Sequence, residues 1–299
     1  MSSLIRRPTI GLALGGGGAR GLAHIGVLEV FEREGIPFDC ICGTSMGGII
    51  ATLYAAGISV ETMKEIALSL SNPKNFLRFL EITPPQRGII KTDRIRAFLA
   101  DLIGSKKTFE DLPVPISLTS VDLLTKKVVY LTKGSLIEAC MATSAVPGLF
   151  PPVELDGMLL VDGGVLDNVP ARAARKMGAE YIIAVDVNYF SGSESRWVDF
   201  PKDATIRKFL PAFALDFYQA EIIMSSAITA MNLKQAKPEL VLNPQVPADV
   251  NMFFGFTKAA EVIQYGVHAA EEVVQQVRAS IKPKVHLFPP NIDPKQVGD

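Results

Sequence analysis

Two glycine-bearing stretches near the start of the chain carry residues that could do chemistry. Gly15-Gly16-Gly17-Gly18-Ala19-Arg20-Gly21 follows an apolar run at 9–14, and Gly43-Thr44-Ser45-Met46-Gly47 follows another at 38–42. Each precedes a helical pattern. A Gly-x-Ser-x-Gly elbow between strand and helix lifts a serine hydroxyl out of its turn. A glycine run before a helix presents bare N–H groups to negative charge. Ser45 is the candidate nucleophile. Gly16, Gly17 and Gly18, with the N–H of Met46, are the candidate oxyanion hole. The pairing suggests acyl transfer.

Other chemistries compete for the same glycines. A phosphate loop would close with Gly-Lys-Ser/Thr, and Arg20-Gly21 stands there instead. Gly16 to Gly21 does fit Gly-x-Gly-x-x-Gly, and Asp39 falls near the acidic position of a dinucleotide site. Asp39 begins the strand leading to Ser45, however, where that site needs a strand end. Ser45 could also merely cap the helix that follows. Arg20 sits at a helix start, against the helix dipole. It would either brace the loop or attract an anionic substrate, and both readings stand.

A serine nucleophile needs a base. His24 lies one turn into the first helix among apolar neighbours and reads as a core histidine. His268 falls in a late helix and His286 in a Pro-rich tail. A Ser-His-Asp arrangement using His268 is one alternative. An aspartate, with a reference pKa of about 3.9, is ionised at neutral pH. It can act as base if proximity and partial desolvation help. Asp162 follows the apolar run 158–161 and precedes Gly163-Gly164. Asp-Gly pairs commonly do no more than turn the chain, and Asp156-Gly157 reads as such a hairpin turn. The local residues leave both roles open for Asp162.

Four blocks then appear in order: Gly16-Gly17-Gly18-Ala19-Arg20-Gly21, Gly43-Thr44-Ser45-Met46-Gly47, Ser144-Ala145-Val146-Pro147 and Asp162-Gly163-Gly164. Together they resemble the patatin-like phospholipase family in its bacterial single-domain form. The resemblance runs over roughly 9–187 and more weakly through the last long helix. It implies an α/β fold, a three-layer α/β/α sandwich with a mostly parallel central sheet. It implies a Ser45–Asp162 dyad without histidine and a glycine-rich oxyanion hole. The implied activity is hydrolysis of lipid acyl esters, as a phospholipase, lysophospholipase or esterase, with no metal or organic cofactor. An acyltransferase and a non-catalytic adaptor on the same fold are the alternatives.

The elements that must position these residues follow from patterning. Strands are expected at 9–14, 38–42, 116–122, 127–131, 158–161, 181–187 and 240–242. Helices are expected at 20–34, 46–56, 92–103, 135–142, 168–177 (with Asn168 as its cap), 213–234 and 258–279. Strands alternating with helices on short connections predict a parallel sheet covered on both faces. The segment 191–202 reads as a loop. No linker or repeat marks a boundary, so 1–299 is expected to be one domain, with a core at about 9–280 and an extended tail from 282.

The totals narrow the setting. The chain has 299 residues, 48% of them hydrophobic, and a net charge of −1, which gives nucleic acid no electrostatic reason to bind. Cys40, Cys42 and Cys140 make no disulfide framework, so a reducing, cytoplasmic compartment is expected. The three histidines and the Cys-Ile-Cys spacing do not suit a zinc site. Apolar runs are too short to span a bilayer, so any membrane contact would be peripheral. A basic, aromatic segment at 74–96 could cover the site, and a stripe at 206–217 could meet an acyl chain. Core packing is the competing role for both. Arg20, Phe76, Phe79, Phe209 and Phe213 are the substrate-binding candidates.

Overall fold

The computed structural model describes residues 4–78, 90–188, 212–247, 249–250 and 255–286. The chain opens with β1 (Leu4–Arg6), β2 (Ile10–Leu14), α1 (Ala23–Arg33), β3 (Cys40–Thr44) and α2 (Met46–Ala55). Three helices follow: α3 (Val60–Leu70), α4 (Pro73–Leu77) and α5 (Asp93–Ile103). Then come β4 (Ile116–Asp122), β5 (Lys127–Leu131), α6 (Leu136–Thr143), β6 (Val153–Leu155), β7 (Met158–Asp162), α7 (Ala171–Lys176) and β8 (Tyr181–Val185). The described chain ends with α8 (Ala212–Ala236), β9 (Leu240–Leu242), α9 (Ala259–Ser280) and β10 (Lys284–His286).

The central sheet has the order β6-β7-β4-β3-β2-β8-β9, with β5 on β4 outside that path. From β4 to β9 the neighbours pair in parallel. β4 pairs antiparallel with both β5 and β7, and β7 with β6. Every residue of β2, β3, β4 and β8 is buried, as a sheet covered on both faces requires. Alternate side chains feed two cores. Ile10, Leu12, Leu14 and Ile41 pack under α1, α2, α3 and α9. Ala13, Cys40, Cys42, Ile182 and Ala184 pack under α7, joined by Leu233 and Ala236 of α8. The fold is therefore the expected three-layer α/β/α sandwich.

Several boundaries moved for physical reasons. The helix expected over 20–34 starts as a 3-10 turn, Gly18–Leu22, before α1. The strand expected at 38–42 is β3, two residues later. Phe38 spends its apolar ring outside the sheet, edge-on to Phe31 at 5.8 Å and to Tyr54 at 6.5 Å. Asn168 does not cap α7, whose cap position is Pro170. Asp156 and Gly157 both take positive φ (49° and 76°), forming the tight turn between β6 and β7. The first part of the tail is ordered, because β10 pairs antiparallel with β1. The loop expected at 191–202 and the remaining tail lie outside the described residues. No helix among the described residues is long and apolar enough to cross a membrane.

α1 and α9 cross where Gly26 and Gly266 face each other's backbone. A Cβ on Gly266 would fall 1.8 Å from the carbonyl oxygen of Ala23, and one on Gly26 would fall 2.0 Å from that of Ile263. No rotamer relieves a backbone clash. Gly266→Ala should therefore destabilise the protein by about 3 kcal/mol or more, read as a lowered urea midpoint. A midpoint within error of wild type would show that the two helices separate freely.

Candidate active site

Ser45 stands between the last residue of β3 and the first of α2, with φ 53° and ψ −127°. Such a conformation costs an L-residue about 1–3 kcal/mol unless its surroundings over-determine it. They do so here through close backbone approach. A Cβ on Gly47 would lie 2.3 Å from the Leu14 carbonyl oxygen, and one on Gly43 2.6 Å from the Gly48 nitrogen. The Ser45 N–H donates to Thr143 Oγ1 at 3.0 Å, and that hydroxyl donates to the Thr119 carbonyl at 2.5 Å. Helix α6 and strand β4 thus hold the serine backbone in its turn.

Sheet register brings Asp162 to the same place. Thr44 pairs with Thr119 of β4, and the next β4 residue, Ser120, pairs with Asp162 at the end of β7. The Ser45 hydroxyl lies close enough to the Asp162 carboxyl to favour its charged form. Asp162 Oδ1 accepts the Gly164 N–H at 2.8 Å. Burial pushes the Asp162 pKa up to about 7; the Ser45 hydroxyl and the Gly164 N–H oppose that rise, and the nearby Glu221 of α8 adds to it. Glu221 is itself raised by burial.

The glycine run lies against Ser45, since a Cβ on Gly16 would sit 2.9 Å from the Ser45 Cβ. Its donors divide into used and open. Gly15 N–H donates to the Val185 carbonyl at 3.0 Å, and Gly16 N–H to the Asn168 carbonyl at 3.2 Å. The Gly16 carbonyl accepts from Asn168 Nδ2 at 3.2 Å and from Asn188 Nδ2 at 2.8 Å. Gly16 is therefore a pinned residue, and its N–H is not available to an oxyanion as the sequence suggested. The N–H groups of Gly17, Gly18 and Met46 make no hydrogen bond among the described residues. Gly18 takes φ 54° at the start of the 3-10 turn.

Arg20 is also corrected. It is buried, not turned toward a substrate. Its Nε donates to the Val187 carbonyl at 2.8 Å, Nη2 to Val246 at 2.9 Å, and Nη1 to Pro247 at 3.0 Å and Val250 at 3.2 Å. A planar guanidinium suits such a spread of carbonyls. Arg20 braces the glycine loop against the segment after β9. The acidic residue of the dinucleotide reading is structural as well: Asp39 binds the Arg7 fork and the Ile10 N–H, at the end of β3 opposite Ser45.

Neither His24 nor His268 has Ser45 as a hydrogen-bond partner. His24 is wholly buried, and its Nε2 donates to the Gly15 carbonyl at 2.7 Å. Burial lowers its pKa to about 4 despite that bond, so the ring is neutral. His268 is exposed on α9. Among the described residues no histidine lines the cavity onto which Ser45 opens.

That cavity, of about 220 Å³, is bounded by Gly18, Ser45 and Met46 at the polar end. Ile49 and Leu53 of α2, Met63, Ile66 and Leu70 of α3, and Ile95, Phe98 and Leu99 of α5 form its walls. The sequence reading gave α3 no role, although Ser59 caps it and Val60, Met63 and Ala67 follow at helical spacing. Of the aromatic candidates, Phe79 and Phe209 lie outside the described residues, as do the side chains of Phe76 and Phe213. No group of three or more His, Cys, Asp or Glu among the described residues could hold a metal ion.

A profile of the patatin-like phospholipase family matches residues 12–175, which include the glycine loop, Ser45 and Asp162. The chain belongs to the patatin-like phospholipase family. Among curated relatives, an NTE-family protein of Mycobacterium tuberculosis, itself uncharacterised, is 38% identical over 188 residues, 63% of this chain and 51% of that protein. A patatin-like phospholipase domain-containing protein of Caenorhabditis elegans is 30% identical over 94% of this chain and 22% of its own length. The lysophospholipase NTE1 of Debaryomyces hansenii is 28% identical over 92% of this chain and 18% of its own. The patatin-like chain thus spans about half the length of the mycobacterial relative and less of the other two. Among solved structures, VipD from Legionella pneumophila aligns over 92% of this chain and 68% of its own, with a TM-score of 0.49 and 14% identity.

Arg20 carries a direct test of the bracing described above. Arg20→Ala strands several buried carbonyls and should lower stability by about 3 kcal/mol. Arg20→Lys should recover little, because one ammonium cannot span the same acceptors. Urea unfolding of both variants checks this. A fully stable Arg20→Lys would show that charge, not the planar fork, is what the loop needs.

Proposed function

We propose that this patatin-like chain is a serine lipid acyl hydrolase in which Ser45 and Asp162 form the catalytic dyad. The observation that carries the reading is the position of Ser45: it lies beside the buried Asp162 carboxyl and opens onto an apolar cavity. Ser45 Oγ attacks the ester carbonyl carbon as Asp162 accepts its proton. The N–H groups of Gly17, Gly18 and Met46 take up the negative charge on the carbonyl oxygen, and the alcohol leaves with the proton from Asp162. Water then attacks the acyl-enzyme as Asp162 accepts its proton, the bond from Ser45 Oγ to the acyl carbon breaks, Oγ takes the proton back from Asp162, and the carboxylic acid leaves. The cavity walls of α2, α3 and α5 suit one acyl chain.

A carboxylate with a pKa near 7 is a better base than a free aspartate at the same pH. The same shift opposes folding. Asp162 binds its proton more tightly in the folded chain than in the unfolded one, so its contribution to stability is lost as pH rises from about 4 to about 7.

Four arms test the proposal. Wild type should react with a fluorophosphonate and hydrolyse lysophospholipid or short-chain esters, and Ser45→Ala should abolish labelling and lower kcat by about 10⁴ or more. Asp162→Asn should lower kcat/KM by about 10²–10⁴ yet melt higher than wild type at pH 8. The kcat/KM of wild type should rise with pH through about 7, as Asp162 ionises. His268→Ala should keep full activity. Folded wild type that takes no label, or loss of activity in His268→Ala, refutes the dyad reading. An acyltransferase would reveal itself by ester products when a competing alcohol is supplied.

A further inference from the structure

The segment Gly163 to Asn168 touches every part of the site. It begins with the turn that bonds Asp162. Asp167 accepts the Thr44 hydroxyl on its carbonyl oxygen at 3.1 Å, one residue before Ser45. Asn168 bonds Gly16 through both its backbone carbonyl and its side chain. What fixes this segment is the Asp167 side chain, which is wholly buried and has no part in the reaction proposed above. Its Oδ2 accepts the Tyr130 hydroxyl at 2.6 Å, and its Oδ1 accepts Asn232 Nδ2 of α8 at 3.2 Å. Asn232 Nδ2 also donates to the Leu166 carbonyl at 2.8 Å, while its Oδ1 accepts from Arg172. Lys176 stands over the Tyr130 ring at 5.4 Å.

We propose that Asp167, anchored by Tyr130 and Asn232, is a positioning residue that keeps Ser45, Asp162 and the glycine loop in one register. This rests on the hydrolase reading. Asp167 touches no substrate. It acts through the backbone it holds: Thr44 on one side, Gly16 through Asn168 on the other, and the Asp-Gly-Gly turn before it. Each of those contacts is a hydrogen bond of ordinary length, so a shift of the segment by an ångström breaks them together. Displacement on that scale costs a reaction about 10²-fold where the reacting groups must align. Binding in the apolar cavity depends little on this register, because only its polar end is formed by Gly18 and Ser45 while α2, α3 and α5 supply most of its walls.

Tyr130→Phe is the main probe, since it removes one oxygen and keeps a half-buried ring. Asp167→Ala and Asp167→Asn form the graded pair, the second keeping an acceptor for the tyrosine. The expected result is a kcat and fluorophosphonate labelling rate reduced about tenfold or more in Tyr130→Phe, with KM within about twofold. Asp167→Asn should retain more activity than Asp167→Ala. Amide hydrogen exchange should quicken at Gly15–Gly18 and Gly163–Asn168 in Tyr130→Phe, while α9 exchanges as in wild type. Wild-type kcat and labelling in Tyr130→Phe overturn the proposal. So does a Tyr130→Phe that unfolds or loosens throughout, because the anchor would then be global and not a matter of register. If wild type itself fails to label, the hydrolase reading falls. The exchange measurement then still decides whether Tyr130 fixes the loop.

Discussion

Ser45 holds a backbone conformation that L-residues avoid, and the surrounding structure supplies what keeps it there. Its neighbours Gly43 and Gly47 have no room for a side chain because β2, β3 and the first turn of α2 meet at van der Waals contact. The serine N–H, which would otherwise begin the helix unpaired, is held by Thr143 of α6. The strain is therefore not local to one turn. It is spread over β3, β4, α2 and α6, each packed into the larger core. A serine freed from this turn would relax into an ordinary helix cap, with its hydroxyl turned to its own N–H groups.

The second constraint is electrical. Asp162 is buried beside Ser45 with no cation among the groups that shift its pKa. Burial without a counter-charge is unfavourable for a carboxylate, and that unfavourable state is what makes it basic near neutral pH in the proposed mechanism. The chain treats other buried carboxylates differently. Even the half-buried Asp39 has the Arg7 fork, and Asp167 has Tyr130, Asn232 and the field of Arg172. The contrast sets the acid that could react apart from those that hold structure.

Legibility in the sequence followed the range of the forces involved. The elbow at Ser45 and the parallel sheet were readable because glycines, apolar runs and helix spacing act within a few residues. Asp162 was not separable from Asp156 on local grounds, since both precede glycine after or before an apolar run. Only register across β4 sets one of them beside Ser45. Arg20 could not be settled at all, because its acceptors at Val246, Pro247 and Val250 lie more than 220 positions away. Asn168 looked like a helix cap and instead pins Gly16, 152 positions upstream. The Asn168 carbonyl also accepts the Gly16 N–H, which corrects the donor set. By contrast, α3 carries a purely local signal, the Ser59 cap followed by Val60, Met63 and Ala67 at helical spacing.

Helix α8 shows how the demands of a site can override the usual pattern of an element. Its inner face carries Ser225, Thr229 and Asn232, while Ile223, Met224 and Met231 face outward. An ordinary surface helix does the reverse. The reason lies in the segment it covers. Gly163 to Asn168 presents the Gly164 and Leu166 carbonyls to α8. A buried carbonyl without a donor costs about 1–3 kcal/mol. Ser225 donates to the first at 2.8 Å and Asn232 to the second at 2.8 Å. A wholly apolar inner face would leave both carbonyls unpaired and remove the donor to Asp167. The polar inner seam of α8 is thus dictated by the backbone of the turn that carries Asp162, and the loss of amphipathic order in this helix is a consequence of where that turn lies.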